Sequence, residues 1–379
     1  NSPALRFPGF SEPWKRIRLG DNCTIQMCKR IFANQTSEAG DVPFFKIGTI
    51  GSRPDAFISK ELFDEYKTKY NYPIEGEVMI TCAGTVGKTL QFDGSDSYFQ
   101  DSNIVWIHNP NQLTINDFLA YILGKINWNK LNSTTITRIY NDDLRNLFYY
   151  APENVAEQKN IVLLLRLIDE RISTQRRLIE DLEKLKSSIV DRTFSDVDGE
   201  VVKYRDLLEV SNLRNDGKAD YRILSASQEF GMIERESLDI DIKAEAKSVK
   251  AYKRVQAGDY VLHLRSFQGG LAFAEVGGIC SPAYTILRPN KRLEYGYLKE
   301  YFKSSKFIKS LVFVTYGIRD GRSINVDEFL DMTISIHSKD KQAEIVKSLS
   351  ILSVKLNVEA SILNIYEQQR NYLHGNLFI

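Results

Sequence analysis

One helical pattern occurs twice in this chain, and that duplication constrains the fold more than any other feature. Residues 158–194 contain no proline or glycine, and apolar residues fall at Ile161, Leu165, Ile168, Ile172, Ile179, Leu182 and Ile189, with Gln175 in the one polar slot. Steps of four and three are the seam of a coiled-coil helix, which at 1.5 Å per residue is roughly 55 Å long. Adding 184 to six of those seven numbers gives Ile345, Leu349, Leu352, Leu356, Leu363 and Leu373, and Glu359 takes the polar slot. Gln158 likewise falls on Gln342 and Phe194 on Phe378. A helix with one apolar seam needs a partner, and the nearest is its own copy, packed antiparallel.

The duplication divides the 379 residues into two similar halves, each a globular part followed by a helix. The expected boundaries are 1–152 and 197–337 for the globular parts, and 153–196 and 338–379 for the helices. In the first part, strands are predicted near residues 17–19, 44–50, 76–90 (strand, glycine turn, strand), 103–107 and 147–150, with helices at 60–69 and 115–130. The second part repeats this order: residues 258–262 answer 76–80, 281–289 answer 102–110, and a helix over 297–313 answers 115–130. The fold class is therefore α+β, with two globular α/β domains separated by two long antiparallel helices in a pseudo-twofold repeat.

Composition sets few limits. The 43% hydrophobic and 26% charged fractions are those of ordinary globular proteins. No apolar run reaches the length of a membrane span, and the N-terminal stretch lacks the regions of a signal peptide, so a cytoplasmic protein is expected. Cys23, Cys28, Cys82 and Cys280 have no metal or disulfide spacing. With 50 basic and 49 acidic residues, a DNA-binding chain must gather its cations on one face.

Three stretches imitate catalytic motifs. Residues 83–89, AGTVGKT, nearly form a phosphate-binding loop, but Cys82 stands where its first glycine belongs, and strand rather than helix follows. Asp55, Glu65 and Lys67 have the residue types of a nuclease site, yet the last two fall in a predicted helix. The four histidines, His108, His263, His337 and His374, have no ligand spacing, so no metal site is expected. The candidates for facing DNA are Thr85, Lys88 and Arg138 in the first part and Arg265, Gln268, Arg319 and Arg322 in the second. Arginine and lysine suit guanine edges or phosphates, Gln suits adenine, and Thr suits phosphate.

The stretch PGFSEPWKRIRLG at 8–20, EQKNIV at 157–162 with its echo KQAEIV at 341–346, and RSFQGG, CSPAYT and GIRDGRSI in the second half carry a family likeness. Together with the alternation of globular parts and helices, they resemble the specificity subunit of type I restriction-modification systems. One departure is Gln369, where the first helix has Leu185. The resemblance implies a non-catalytic subunit in which each globular part reads half of a bipartite double-stranded DNA site, while the helices fix the gap and dock two modification subunits. S-adenosylmethionine, ATP and magnesium would belong to those and to the restriction subunits, with no cofactor in this chain. Two other classes fit the residues alone: a methyltransferase or nuclease with an unrecognised site, and a coiled-coil scaffold that never touches DNA.

Overall fold

The computed structural model describes residues 2–128, 138–195, 197–215, 217, 221–227, 230–235, 250–317 and 323–379. The chain divides into two compact units, one holding residues 1–174 and 363–379, the other residues 175–362.

The strands of the first unit are β1 (Lys15–Arg18), β2 (Thr24–Gln26), β3 (Val42–Phe45), β4 (Phe57–Ile58), β5 (Val78–Thr81), β6 (Thr89–Gln91), β7 (Tyr98–Phe99), β8 (Ile104–His108) and β9 (Phe148–Ala151). Four of them form an antiparallel sheet in the order β2-β8-β5-β6. Its central strands are buried on both faces. Val78, Ile80, Val105 and Ile107 enter one core, with the helix Asn116–Lys125 and the long helices, while Met79, Ile104 and Trp106 enter another, with the helix Lys60–Lys69 and the small sheet β4-β3-β7. Alternate residues thus serve opposite cores, and a slip of one residue would exchange them.

The second unit holds β10 (Glu200–Lys203), β11 (Leu208–Ser211), β12 (Leu224–Ser227), β13 (Gly231–Glu234), β14 (Lys253–Val255), β15 (Tyr260–Leu262), β16 (Ala272–Phe273), β17 (Gly278–Cys280), β18 (Thr285–Pro289), β19 (Thr315–Tyr316), β20 (Ser323–Ile324) and β21 (Thr333–Ile336). Its four-stranded sheet has the order β11-β18-β15-β16, matching the first strand for strand, and the pair β10-β21 matches β1-β9. Tyr260 and Leu287 enter one core, Val261 and Ile286 another.

The register corrects the sequence alignment by one position. Val78 faces Ile107 and Tyr260 faces Leu287, so His108 corresponds to Arg288. The charges follow that register. Glu77, ahead of β5, bonds His108 Nδ1 at 2.7 Å and accepts from the Ile74 amide at 2.9 Å. Asp259, ahead of β15, takes two bonds of 3.0 Å from Arg288 and one of 2.7 Å from the Gln256 amide.

Three expected elements are shorter or broken. The strand expected over 44–50 stops at Phe45, because Lys46–Ile50 closes a turn in which the Thr49 and Ile50 amides bond the Lys46 carbonyl. The helix expected to Lys130 ends at Lys125, where Trp128 folds back and donates Nε1–H to the Leu123 carbonyl. The single helix expected over 297–313 is a series of short pieces, Tyr301–Lys303, Ser305–Ser310 and Leu311–Val314, since Ser304 turns extended and caps the second.

The long helices are Val155–Thr193 and Lys339–Asn376. Within the first unit their segments run antiparallel. Leu165, Ile168 and Ile172 share a core with Leu363, Tyr366 and Leu373, Arg370 pairs with Asp169 at 2.6 Å, and Arg171 lies over the Tyr366 ring. Within the second unit Gln175 donates to the Glu359 carbonyl at 3.0 Å and also bonds its carboxylate, so the two polar slots meet, while Val190 shares a core with Ile345 and Leu349. Ile161 is buried, and Ile179, Leu182, Leu352 and Leu356 are half-buried. Ile189 departs from the expected seam: it is 38% exposed, and its neighbour Val190 is 4% exposed. After Leu182 the buried face steps by fours through Lys186 and Val190 to Phe194. A straight helix drifts about 20° per heptad against a strict seven-residue repeat, and here it is allowed to. Leu185 is 51% exposed, so Gln369 at the matching position removes no apolar burial.

Each long helix is pinned at its start by a buried glutamine. Gln158 donates to the Leu113 and Pro152 carbonyls at 2.9 and 2.8 Å and accepts from the Ile115 amide at 2.8 Å. Gln342 donates to the Arg292 and His337 carbonyls at 3.1 and 3.0 Å and accepts from the Glu294 amide at 2.8 Å.

Candidate nucleic-acid interface

In the first unit the candidate residues gather where β5 ends. Thr81 Oγ1 accepts from the Lys88 amide at 3.0 Å and bonds the Thr85 carbonyl, closing a tight loop with Thr85 exposed at its tip. Gly87 has φ +82, and a Cβ there would lie 2.0 Å from the Trp128 ring, so no other residue fits without rearrangement. The Lys88 ammonium donates to the Ile50 carbonyl at 2.6 Å, which ties this side chain to the neighbouring turn. The segment entering Arg138 runs alongside: the Ile139 amide bonds the Cys82 carbonyl at 2.8 Å, and Arg138 reaches the Ser102 carbonyl at 3.3 Å and the Tyr140 ring. Thr85, Lys88 and Arg138 thus lie on loops bonded to one another.

In the second unit the corresponding loop follows β15 and is a helical turn, Ser266–Gly269, rather than a plain hairpin. The His263 amide bonds Ser266 Oγ at 2.8 Å, and His263 Nδ1 accepts from the Arg265 amide at 3.3 Å. Burial lowers the His263 pKa, so the ring stays neutral and keeps this acceptor. Arg265 and Gln268 are both exposed. Gly270, at φ +75, passes so near Phe302 that a Cβ would lie 1.8 Å from its carbonyl oxygen, which fixes where the turn ends. Arg319 and Arg322, and the threonine loop before Arg138, lie outside the described residues.

The residues that imitate catalytic motifs have other partners. Asp55 pairs with Lys46, Glu65 with Lys69, and Lys67 with Asp96. Burial pushes the Cys23 thiol up to about 11 and those of Cys28, Cys82 and Cys280 up to about 12, which keeps them protonated and poor nucleophiles. Among the described residues no group of three or more His, Cys, Asp or Glu side chains could hold a metal ion, and no helix is long and apolar enough to cross a membrane. Sequence reasoning passed over the two acid–base pairs, Glu77–His108 and Asp259–Arg288. Their one signal is the acid following the glycine that opens each strand.

Residues 11–184 match the type I restriction modification DNA specificity domain. A Haemophilus influenzae protein named as a type I restriction enzyme specificity subunit is 50% identical over 151 residues, which is 40% of this chain and 39% of that protein. The type I restriction-modification S subunit from M. genitalium is similar in fold, with a TM-score of 0.62 at 14% identity, covering 100% of this chain and 99% of that one. A chain from a structure concerned with assembly and conformational transition of the type I system gives a TM-score of 0.55 at 16% identity over 98% of each. Residues 11–184 thus match that DNA specificity domain, and the fold, with its two units of like topology, is similar to that of type I S subunits.

Proposed function

We propose that this chain is the DNA-reading subunit of a type I restriction-modification complex. The observation that carries the reading is that two units with the same strand order each present polar and basic side chains from the loop after the same strand: Thr85 and Lys88 after β5, Arg265 and Gln268 after β15. Residues 1–152 read one half of a bipartite site and residues 197–337 the other, with Arg138 in the first and Arg319 and Arg322 in the second among the contacts. Two weak readers held on one spacer bind the same duplex together, so the spacer sets the gap and the pair supplies the affinity. The helices within 153–196 and 338–379 are that antiparallel spacer and dock two modification subunits. The chain itself performs no chemistry. S-adenosylmethionine, ATP and magnesium are held by the modification and restriction subunits, and the complex acts in the cytoplasm. Methylome sequencing of cells carrying this chain with its modification partner, before and after residues 1–152 are replaced by those of another such subunit, tests the reading. One half of the methylated site should change while the other half and the gap stay; a swap that altered both halves would refute independent readers.

A further inference from the structure

The first unit carries a groove of about 320 Å³ that none of Thr85, Lys88 and Arg138 lines. Its wall includes Arg30, Phe32, Lys46, Gln100, Ser102 and Asn103. The groove adjoins the loops described above, because Arg138 bonds the Ser102 carbonyl and the Cys82 amide bonds the Asn103 carbonyl at 2.7 Å. Ser102 has φ +54, a conformation that a residue with a Cβ adopts at a cost. The turn is braced on one side by Arg138 and on the other by Arg30, whose Nε donates to Asp101 at 2.8 Å.

The chemistry of the wall is specific. Gln100 Oε1 accepts from the Ile47 amide at 3.1 Å, and among the described residues its amide N–H₂ has no partner. The carbonyl oxygen keeps a second lone pair, so this one side chain can accept from adenine N6–H and donate to N7. Phe32, 58% exposed, stands on the same wall, a large apolar surface and a match for a thymine methyl. Arg30 and Lys46 stand on the same wall, each in a partly exposed ion pair, Arg30 with Asp101 and Lys46 with Asp55, where their remaining N–H groups face the side on which phosphates would run.

We infer that this groove reads an A·T pair in the half-site met by the first unit, with Gln100 on the adenine, Phe32 against a thymine methyl, and Arg30 and Lys46 on the backbone. The inference rests on the proposed DNA-reading role and adds the residues that decide sequence. It is tested with the full-length chain by selection from a random duplex library, followed by binding isotherms at several salt concentrations. Gln100→Glu keeps an acceptor for the Ile47 amide and replaces the donor, so the selected adenine should give way to cytosine, whose N4–H₂ donates to carboxylates. Discrimination at that pair should change on the order of tenfold or more, with the other half-site unaltered. Phe32→Ala, at an exposed side chain, should lose a thymine preference at or beside the same pair. Arg30→Gln should weaken matched and mismatched duplexes alike and flatten the salt dependence by about one unit of slope. If both Gln100→Glu and Phe32→Ala select the wild-type sequence, the groove is not a reader although the chain is. If the wild-type chain selects no sequence, the DNA-reading role fails and the groove with it.

Discussion

At the start of each sheet's central strand, the two units solve one problem with different residues. Glu77 and Asp259 are both buried, and both cap the amide three residues upstream, yet one faces His108 and the other the bidentate guanidinium of Arg288. Beside the long helices the contrast is greater. In the first unit Asp117 and Tyr121 meet Arg166 and Asp169, whereas in the second Lys186 meets Glu300 and Phe194 stacks among Tyr297 and Tyr301. What the units share is backbone geometry and main-chain pinning; what they do not share is the charge at each junction. Duplicated folds can keep a frame while its polar contacts are rewritten.

The comparison is broken most severely in the seams. Leu165→Asp in the first unit and Leu349→Asp in the second would each put a charge in a buried position and should cost at least about 3 kcal/mol, read by chemical unfolding. A wild-type midpoint for either would mean that its helix segment is not part of that unit's core. Next come the pins. Gln158→Ala and Gln342→Ala should lose about 2–3 kcal/mol each, since each leaves a buried amide and two carbonyls short of partners. Equal losses would show that the two junctions are equivalent in energy, and a marked inequality that only the frame was kept.

At the loops a difference is expected. Arg265→Ala should weaken DNA binding by about 1–2 kcal/mol, and Lys88→Ala by less, because the Lys88 ammonium is already engaged by the Ile50 carbonyl. The reverse order in binding isotherms would mean that Lys88 lets go of Ile50 to meet DNA. A smaller effect is predicted at His374, the position equivalent to Val190 in the repeat. Its pKa is lowered first by burial and then by Arg370, with Lys125 adding to the effect and Asp169 opposing it; Tyr121 and Phe378 pack on the ring, and Nε2 is buried without a partner among the described residues. A depressed folded-state pKa means that the unfolded chain takes up the proton first. Stability is therefore lost as pH falls through the unfolded value of about 6.5, until the folded state also protonates. His374→Val should remove that loss, gaining about 1 kcal/mol at pH 5.5 and less at pH 8. A gain of equal size at both values would show that the ring takes up its proton equally in the folded and unfolded chain. Arg177→Ala, at an exposed position of the spacer helix, should leave DNA affinity unchanged within about 0.3 kcal/mol.

The long helices were legible because a seam with a polar slot, repeated at a fixed offset, is a pattern that few other structures share. Ile189 was misplaced because sequence spacing alone cannot say whether a helix supercoils to hold seven-residue register or drifts. The helix Lys60–Lys69 was legible from the turn signals on either side of it, whereas the one expected over 297–313 was not, since Ser304 reads equally as a helix interior or as a break. The loops carrying Thr85, Lys88, Arg265 and Gln268 could be found from glycines and charges. That the Lys88 ammonium turns back onto Ile50, and that Gln100 lines a groove with Phe32, depends on contacts across 38 and 68 residues of sequence, which no local pattern encodes.

Gln158 and Gln342 hold only main-chain atoms of the globular parts. A grip of that kind takes no notice of which side chains the gripped segment carries. Mutations can accumulate around residues 113–115 and 292–294 without loosening it, provided that the backbone keeps its course. This is a mechanical socket, and it gives a physical reason why the two helices of this chain still resemble each other while the parts they carry have diverged so far.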